Sequence, residues 1–139
     1  MTTNRISHIG ILVYEADAAV EQWTKNFGLR LIEDRCIEVE GMRSIFLSVG
    51  GTWDEFVIEI MEPLNMDDEN HFLMKRLKKN GEGFYHLCLA VDDVTKSANA
   101  LAKAGLTVMM RDSIDEKSGP RWLVHPRDAN GVMVEAIEG

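Results

Sequence analysis

The sequence predicts an α+β fold built from two tandem βαβββ modules, and three matched segments at a nearly constant spacing predict it. Ser7-His8-Ile9-Gly10-Ile11 aligns with Tyr85-His86-Leu87-Cys88-Leu89 at an offset of 78 residues. Gly28-Leu29 then meets Gly105-Leu106 at an offset of 77. Val57-Ile58-Glu59-Ile60-Met61-Glu62 meets Met133-Val134-Glu135-Ala136-Ile137-Glu138 at 76. One such match carries little weight, but three in order, each among apolar neighbours, indicate a duplicated unit.

Each element of the first copy has its own signal. Residues 6–13 are short, apolar and partly β-branched, as a strand requires. Asp17 is placed to cap a helix whose apolar positions Ala19, Val20, Trp23 and Phe27 recur at helical spacing. Gly28 can end that helix in the left-handed conformation that other residues resist. Strands are expected at residues 29–32, 44–49 and 56–61, with Gly50-Gly51 as a hairpin signal between the last two.

The second copy repeats the order. A strand at 84–91 leads to Asp92 or Asp93 as the cap of a helix carrying Val94, Ala98, Leu101 and Ala102, with Gly105 to stop it. Strands follow at 107–111, 121–125 and 131–137. Between the copies, residues 70–80 read as a short amphipathic helix using Phe72, Leu73, Met74 and Leu77, and Gly81-Glu82-Gly83 turns back into a strand. The expected organisation is one domain, with module one at about 5–64, the linker helix at about 65–82 and module two at about 83–139.

Bulk properties narrow the function classes. A chain of 139 residues, 45% hydrophobic and 27% charged, can bury a core without disulfides. The net charge of −8 disfavours a general nucleic-acid or anionic-membrane surface, because phosphate binding needs a positive footprint. No apolar run approaches the about 20 residues of a membrane helix, and the first residues carry no secretory pattern, so a soluble cytoplasmic protein is expected. Cys36 and Cys88 have no metal-finger spacing, and Cys88 within Leu87-Cys88-Leu89-Ala90 reads as a buried free thiol.

A lone histidine on a strand is more often structural than a ligand, and a lone carboxylate is usually solvated. The repeat changes that reading. His8 and His86 hold equivalent places on the first strands, and Glu59 and Glu135 on the last strands, each flanked by apolar residues. A carboxylate on a mostly buried strand needs a compensating partner. Two imidazoles and two carboxylates supply mutual compensation through one divalent ion of borderline character: cobalt, manganese, nickel or zinc. Four protein ligands on an octahedral ion leave two positions for water or substrate oxygens, as in a catalytic site.

At these residues the chain resembles the vicinal-oxygen-chelate (glyoxalase/bleomycin resistance/dioxygenase) superfamily, and within it the methylmalonyl-CoA epimerases. The segments that carry the resemblance are Ile6-Ser7-His8-Ile9-Gly10-Ile11, Ile60-Met61-Glu62-Pro63-Leu64, Asn80-Gly81-Glu82-Gly83-Phe84-Tyr85-His86-Leu87, Ala90-Val91-Asp92-Asp93-Val94, Leu123-Val124-His125-Pro126-Arg127 and Gly131-Val132-Met133-Val134-Glu135. The resemblance implies a curved mixed sheet around the metal, a CoA-thioester substrate and a homodimer. It implies metal-dependent acid–base inversion at the carbon next to the thioester, with Glu135 and Glu59 as candidate proton-transfer groups. Several such epimerases carry a glutamate three residues after a glycine on the second strand; here Gly41-Met42-Arg43-Ser44 places Ser44 there.

Ser44 and His125 are the candidate substrate contacts, although a histidine before proline is more often structural. Lys75, Arg76, Lys78 and Lys79 read as a solvated helix face, His71 as surface, and Trp53, Trp122 and Met109-Met110 as packing. Two other readings remain at this point. One is a glyoxalase I-like lactoylglutathione lyase acting on a thiol hemithioacetal. The other is a non-catalytic small-molecule binding (resistance) protein on the same fold, which a complete ligand set disfavours.

Overall fold

In a computed structural model, which describes residues 1–115 and 118–139, the order is β1 (Thr3–Leu12), α1 (Ala16–Glu21), β2 (Arg30–Ile37), β3 (Met42–Ser48), β4 (Val57–Pro63), α2 (Phe72–Asn80), β5 (Gly83–Val91), α3 (Val94–Lys103), β6 (Val108–Arg111), β7 (Arg121–Val124) and β8 (Met133–Glu138). This is the expected α+β order: βαβββ, a connecting helix, then βαβββ. Residues 9–84 form one compact unit, and residues 1–8 with 85–139 form another. The strand order is the same in both copies, β2-β3-β4-β1 and β6-β7-β8-β5. β1 supplies its residues from Ile9 onward to the first unit and its start, through His8, to the second.

In residues 9–84, strand alternation divides the side chains cleanly. Ile45 and Leu47 of β3 and Ile58 and Ile60 of β4 pack with Val13, Ala16, Val20 and Trp23 beneath α1. Ser44, Phe46, Glu59 and Met61 therefore face the other way, in the register that pairs Ser44 with Met61 and Phe46 with Glu59. The helix cap differs from the expected one. Asp17 lies in the first turn, and the Ala16 N–H donates instead to Glu62 Oε2 at 2.6 Å. Asp17 takes a donor from Arg43 Nη2 at 2.9 Å, while Arg43 also donates to both oxygens of Asp34. These hydrogen bonds from Arg43 hold the Asp34 carboxyl below its usual range.

Two connections in this unit depart from the sequence expectation. Gly50-Gly51 does not make a two-residue hairpin; β3 and β4 are joined by residues 49–56, gathered on Glu55. Its Oε2 accepts from Ser48 Oγ at 2.9 Å and from the Gly50 N–H at 2.7 Å, and these donors, Ser48 foremost, hold its carboxyl below the ordinary range. His71 is half-buried rather than a surface residue. Its Nδ1 accepts the Leu73 N–H and caps α2, and its Nε2 sits 2.8 Å from the Glu40 carbonyl oxygen. Leu73, Met74 and Leu77 bury one face of α2 as expected, and the lysines lie on its exposed side.

The second unit follows the same plan. Val91, Val94, Ala98, Trp122, Val124 and Ala136 form the core under α3, and Trp122 Nε1 donates to Ser97 Oγ at 2.8 Å. Asp93 is the cap of α3, accepting the Lys96 N–H at 2.9 Å, and Gly105 ends the helix region at φ +93. Glu138 Oε1 also accepts the Val94 N–H, as Glu62 does for Ala16 in the other copy. Trp122 is core as expected, whereas Met109 and Met110 on β6 are exposed. Among the described residues no helix is long and apolar enough to cross a membrane.

Candidate functional site

β5 and β8 run parallel, with Cys88 opposite Glu135 and His86 opposite Met133. Since Leu89, Val91 and Ala136 face α3, alternation puts His86, Cys88 and Glu135 together on the other face. The start of β1 lies beside β5 and adds His8. His8, His86 and Glu135 are all buried, at 8%, 3% and 8% exposure.

The three side chains converge on one point. His8 Nε2 and His86 Nε2 are 3.3 Å apart, and each lies 3.7 Å from Glu135 Oε1. One ion about 2.1 Å from each atom produces separations of this size, so the donor set fits a divalent metal. The ring geometry agrees: Ser7 Oγ is 3.0 Å from His8 Nδ1, where it can accept that nitrogen's proton and leave Nε2 as the ligand atom. Tyr85 meets the His86 ring edge-on with centroids 5.4 Å apart, which fixes its plane. Two imidazoles and an anion in this arrangement can hold a cation that polarises a bound oxygen.

Two neighbours of this cluster were not among the expected site residues. The Cys88 thiol is buried and outside any disulfide as expected, and its Sγ also lies within ligand reach of His8 and Glu135. Arg121 Nη1 lies 3.5 Å from Glu135 Oε2. The period-2 rule was the available signal for Cys88, which is two residues from His86.

The other expected site residues have the following local partners. Glu59, buried on β4, accepts a 2.6 Å hydrogen bond from the Ser44 hydroxyl within residues 9–84. His125 is exposed, and its Nδ1 accepts the Arg127 N–H in a short turn. Trp53 is half exposed and leans on Phe46.

The chain is similar to known proteins over nearly its whole length. The ethylmalonyl-CoA/methylmalonyl-CoA epimerase of Cereibacter sphaeroides is 28% identical over 94% of this chain and 95% of its own. A Streptomyces coelicolor methylmalonyl-CoA epimerase variant, solved in complex with 2-nitronate-propionyl-CoA, is 28% identical. It matches with a TM-score of 0.83 over 99% of this chain and 96% of its own. A rice (Oryza sativa) lactoylglutathione lyase is 25% identical over 96% of this chain, which spans 43% of that protein. The model of the Glyoxalase/Bleomycin resistance protein/Dioxygenase superfamily matches residues 7–123, and the chain belongs to that superfamily.

Proposed function

We propose that the chain is a divalent-metal-dependent epimerase of a small acyl-CoA thioester, most similar to methylmalonyl-CoA epimerase. The observation that carries the reading is the convergence of His8 Nε2, His86 Nε2 and Glu135 Oε1 in one buried cluster. Glu59 is proposed as the fourth ligand because it holds the repeat position of Glu135. The epimerase relative and the CoA-bound neighbour support the substrate class. A homodimer belongs to the same reading, on the resemblance alone.

The reaction removes and returns a proton at the carbon between a thioester and a carboxylate. A bound divalent ion supplies positive charge where the enolate oxygen develops negative charge. His8 and His86 hold that charge in place. Inversion needs an acceptor on one side of the carbon and a donor on the other. Glu135 and Glu59 are the carboxylates proposed for those roles, Glu59 with its Oε2 already bound by Ser44.

Ser44 also favours a second reading. A serine committed to Glu59 is not a base, so a glyoxalase-type lyase acting on a hemithioacetal is the alternative, supported by the lyase relative. The deciding experiment is proton–deuterium exchange at the α-carbon of methylmalonyl-CoA in heavy water, followed by NMR with metal-loaded protein. Metal-dependent exchange that is lost in His86→Ala and Glu135→Ala is expected. No exchange despite stoichiometric bound metal rules out this substrate and moves the lyase to first place.

A further inference from the structure

We propose that Arg121 is a positioning residue that restricts Glu135 to ligation through a single oxygen and so keeps one coordination position open for substrate. This rests on the metal-centre reading above. The two oxygens of Glu135 are differently engaged: Oε1 is 3.7 Å from each imidazole Nε2, and Oε2 is 3.5 Å from Arg121 Nη1. A carboxylate that chelates one ion must turn both oxygens toward it, which Glu135 cannot do while Oε2 faces the guanidinium. The Arg121 and Glu135 side chains are only 13% and 10% exposed, so salt screens this attraction little. Arginine is always charged and its donors are rigidly arranged, which suits it to hold an orientation.

The repeat supplies an independent parallel. Arg121 on β7 stands 77 residues after Ser44 on β3, the equivalent place in the other copy. Ser44 donates to Oε2 of Glu59, and Arg121 faces Oε2 of Glu135. In both copies the third strand occupies the second oxygen of the carboxylate on the fourth. Partners of this kind orient ligands and set how many positions a metal keeps open. An octahedral ion with four single-atom protein ligands keeps two positions open, and chelation by Glu135 removes one of them.

The test is the water-proton relaxation enhancement per bound ion in manganese(II)-loaded protein, which reads the number of exchanging waters without turnover. Arg121→Gln is expected to bind manganese at wild-type stoichiometry and to lose about half of the enhancement, as one of two waters is displaced. Arg121→Lys, which keeps a cation beside Oε2, is expected to recover most of it. Circular dichroism and an unfolding midpoint verify that each variant is folded. Unchanged enhancement in folded Arg121→Gln overturns the proposal, and wild-type protein that takes up none of manganese, cobalt, nickel or zinc overturns it together with the metal reading. Failure of α-proton exchange on methylmalonyl-CoA tells against the reaction alone, because the relaxation readout does not depend on it.

Discussion

Replacing Ser44 with alanine removes one donor from a buried carboxylate and almost nothing else. Ser44 is fully buried, Glu59 is 5% exposed, and the Oγ to Oε2 distance is 2.6 Å, in the range of charge-assisted O–H···O⁻ bonds. Hydrogen bonds to charged groups contribute about 1.5–3 kcal/mol, and the loss of one hydroxyl oxygen leaves little cavity. Ser44→Ala should therefore lower the stability of the metal-free protein by about 2 kcal/mol. With a urea slope of about 2 kcal/mol per molar, the midpoint should fall by about 1 M at unchanged slope. The assay is urea unfolding followed by circular dichroism in a chelator, for Ser44→Ala, Glu59→Met and the double variant. The cycle should return a coupling of about 1 kcal/mol or more between the two positions. A midpoint shift below about 0.3 M at unchanged slope, or additive single effects, would refute the claim that this hydrogen bond holds Glu59.

Other consequences follow from the same distances. His86→Ala should lower divalent-metal affinity by more than about 100-fold in a competitive chelator titration, since even outer partners of ligands cost 10–100-fold. Trp122→Ala should cost about 3–5 kcal/mol in denaturant unfolding, and Ser97→Ala about 1–2, because the Trp122 N–H then loses its acceptor. Gly41 has φ +65 and an added Cβ would stand 2.8 Å from His71 Nε2, so Gly41→Ala should cost at least about 1–2 kcal/mol. Arg43 lowers the folded-state pKa of Asp34, so its stabilisation is fully present above the unfolded value and is lost as pH falls through the folded value. The deficit of Asp34→Asn should thus be largest near neutral pH and vanish at strong acid, and should stay below about 1 kcal/mol because the pair is partly exposed.

Periodicity and local chemistry made much of this protein legible without its structure. The duplication, the α+β order, Gly28 and Gly105 as helix ends and Asp93 as a cap all follow from residues that act on neighbours within a few positions. His8, His86 and Glu135 became candidates because the repeat doubled a weak signal. Other features depend on pairing between distant strands. Asp17 satisfied every local rule for a cap, yet Glu62, 46 residues away, takes the Ala16 N–H. Gly50-Gly51 looked like a tight turn until Glu55 gathered a longer loop around its carboxylate. Arg121 carried no local mark of a metal-site residue, because only the β7–β8 register brings it to Glu135. Alternation along one strand assigns a side chain to a face, whereas its neighbours on that face depend on the register between strands, which only the folded chain decides.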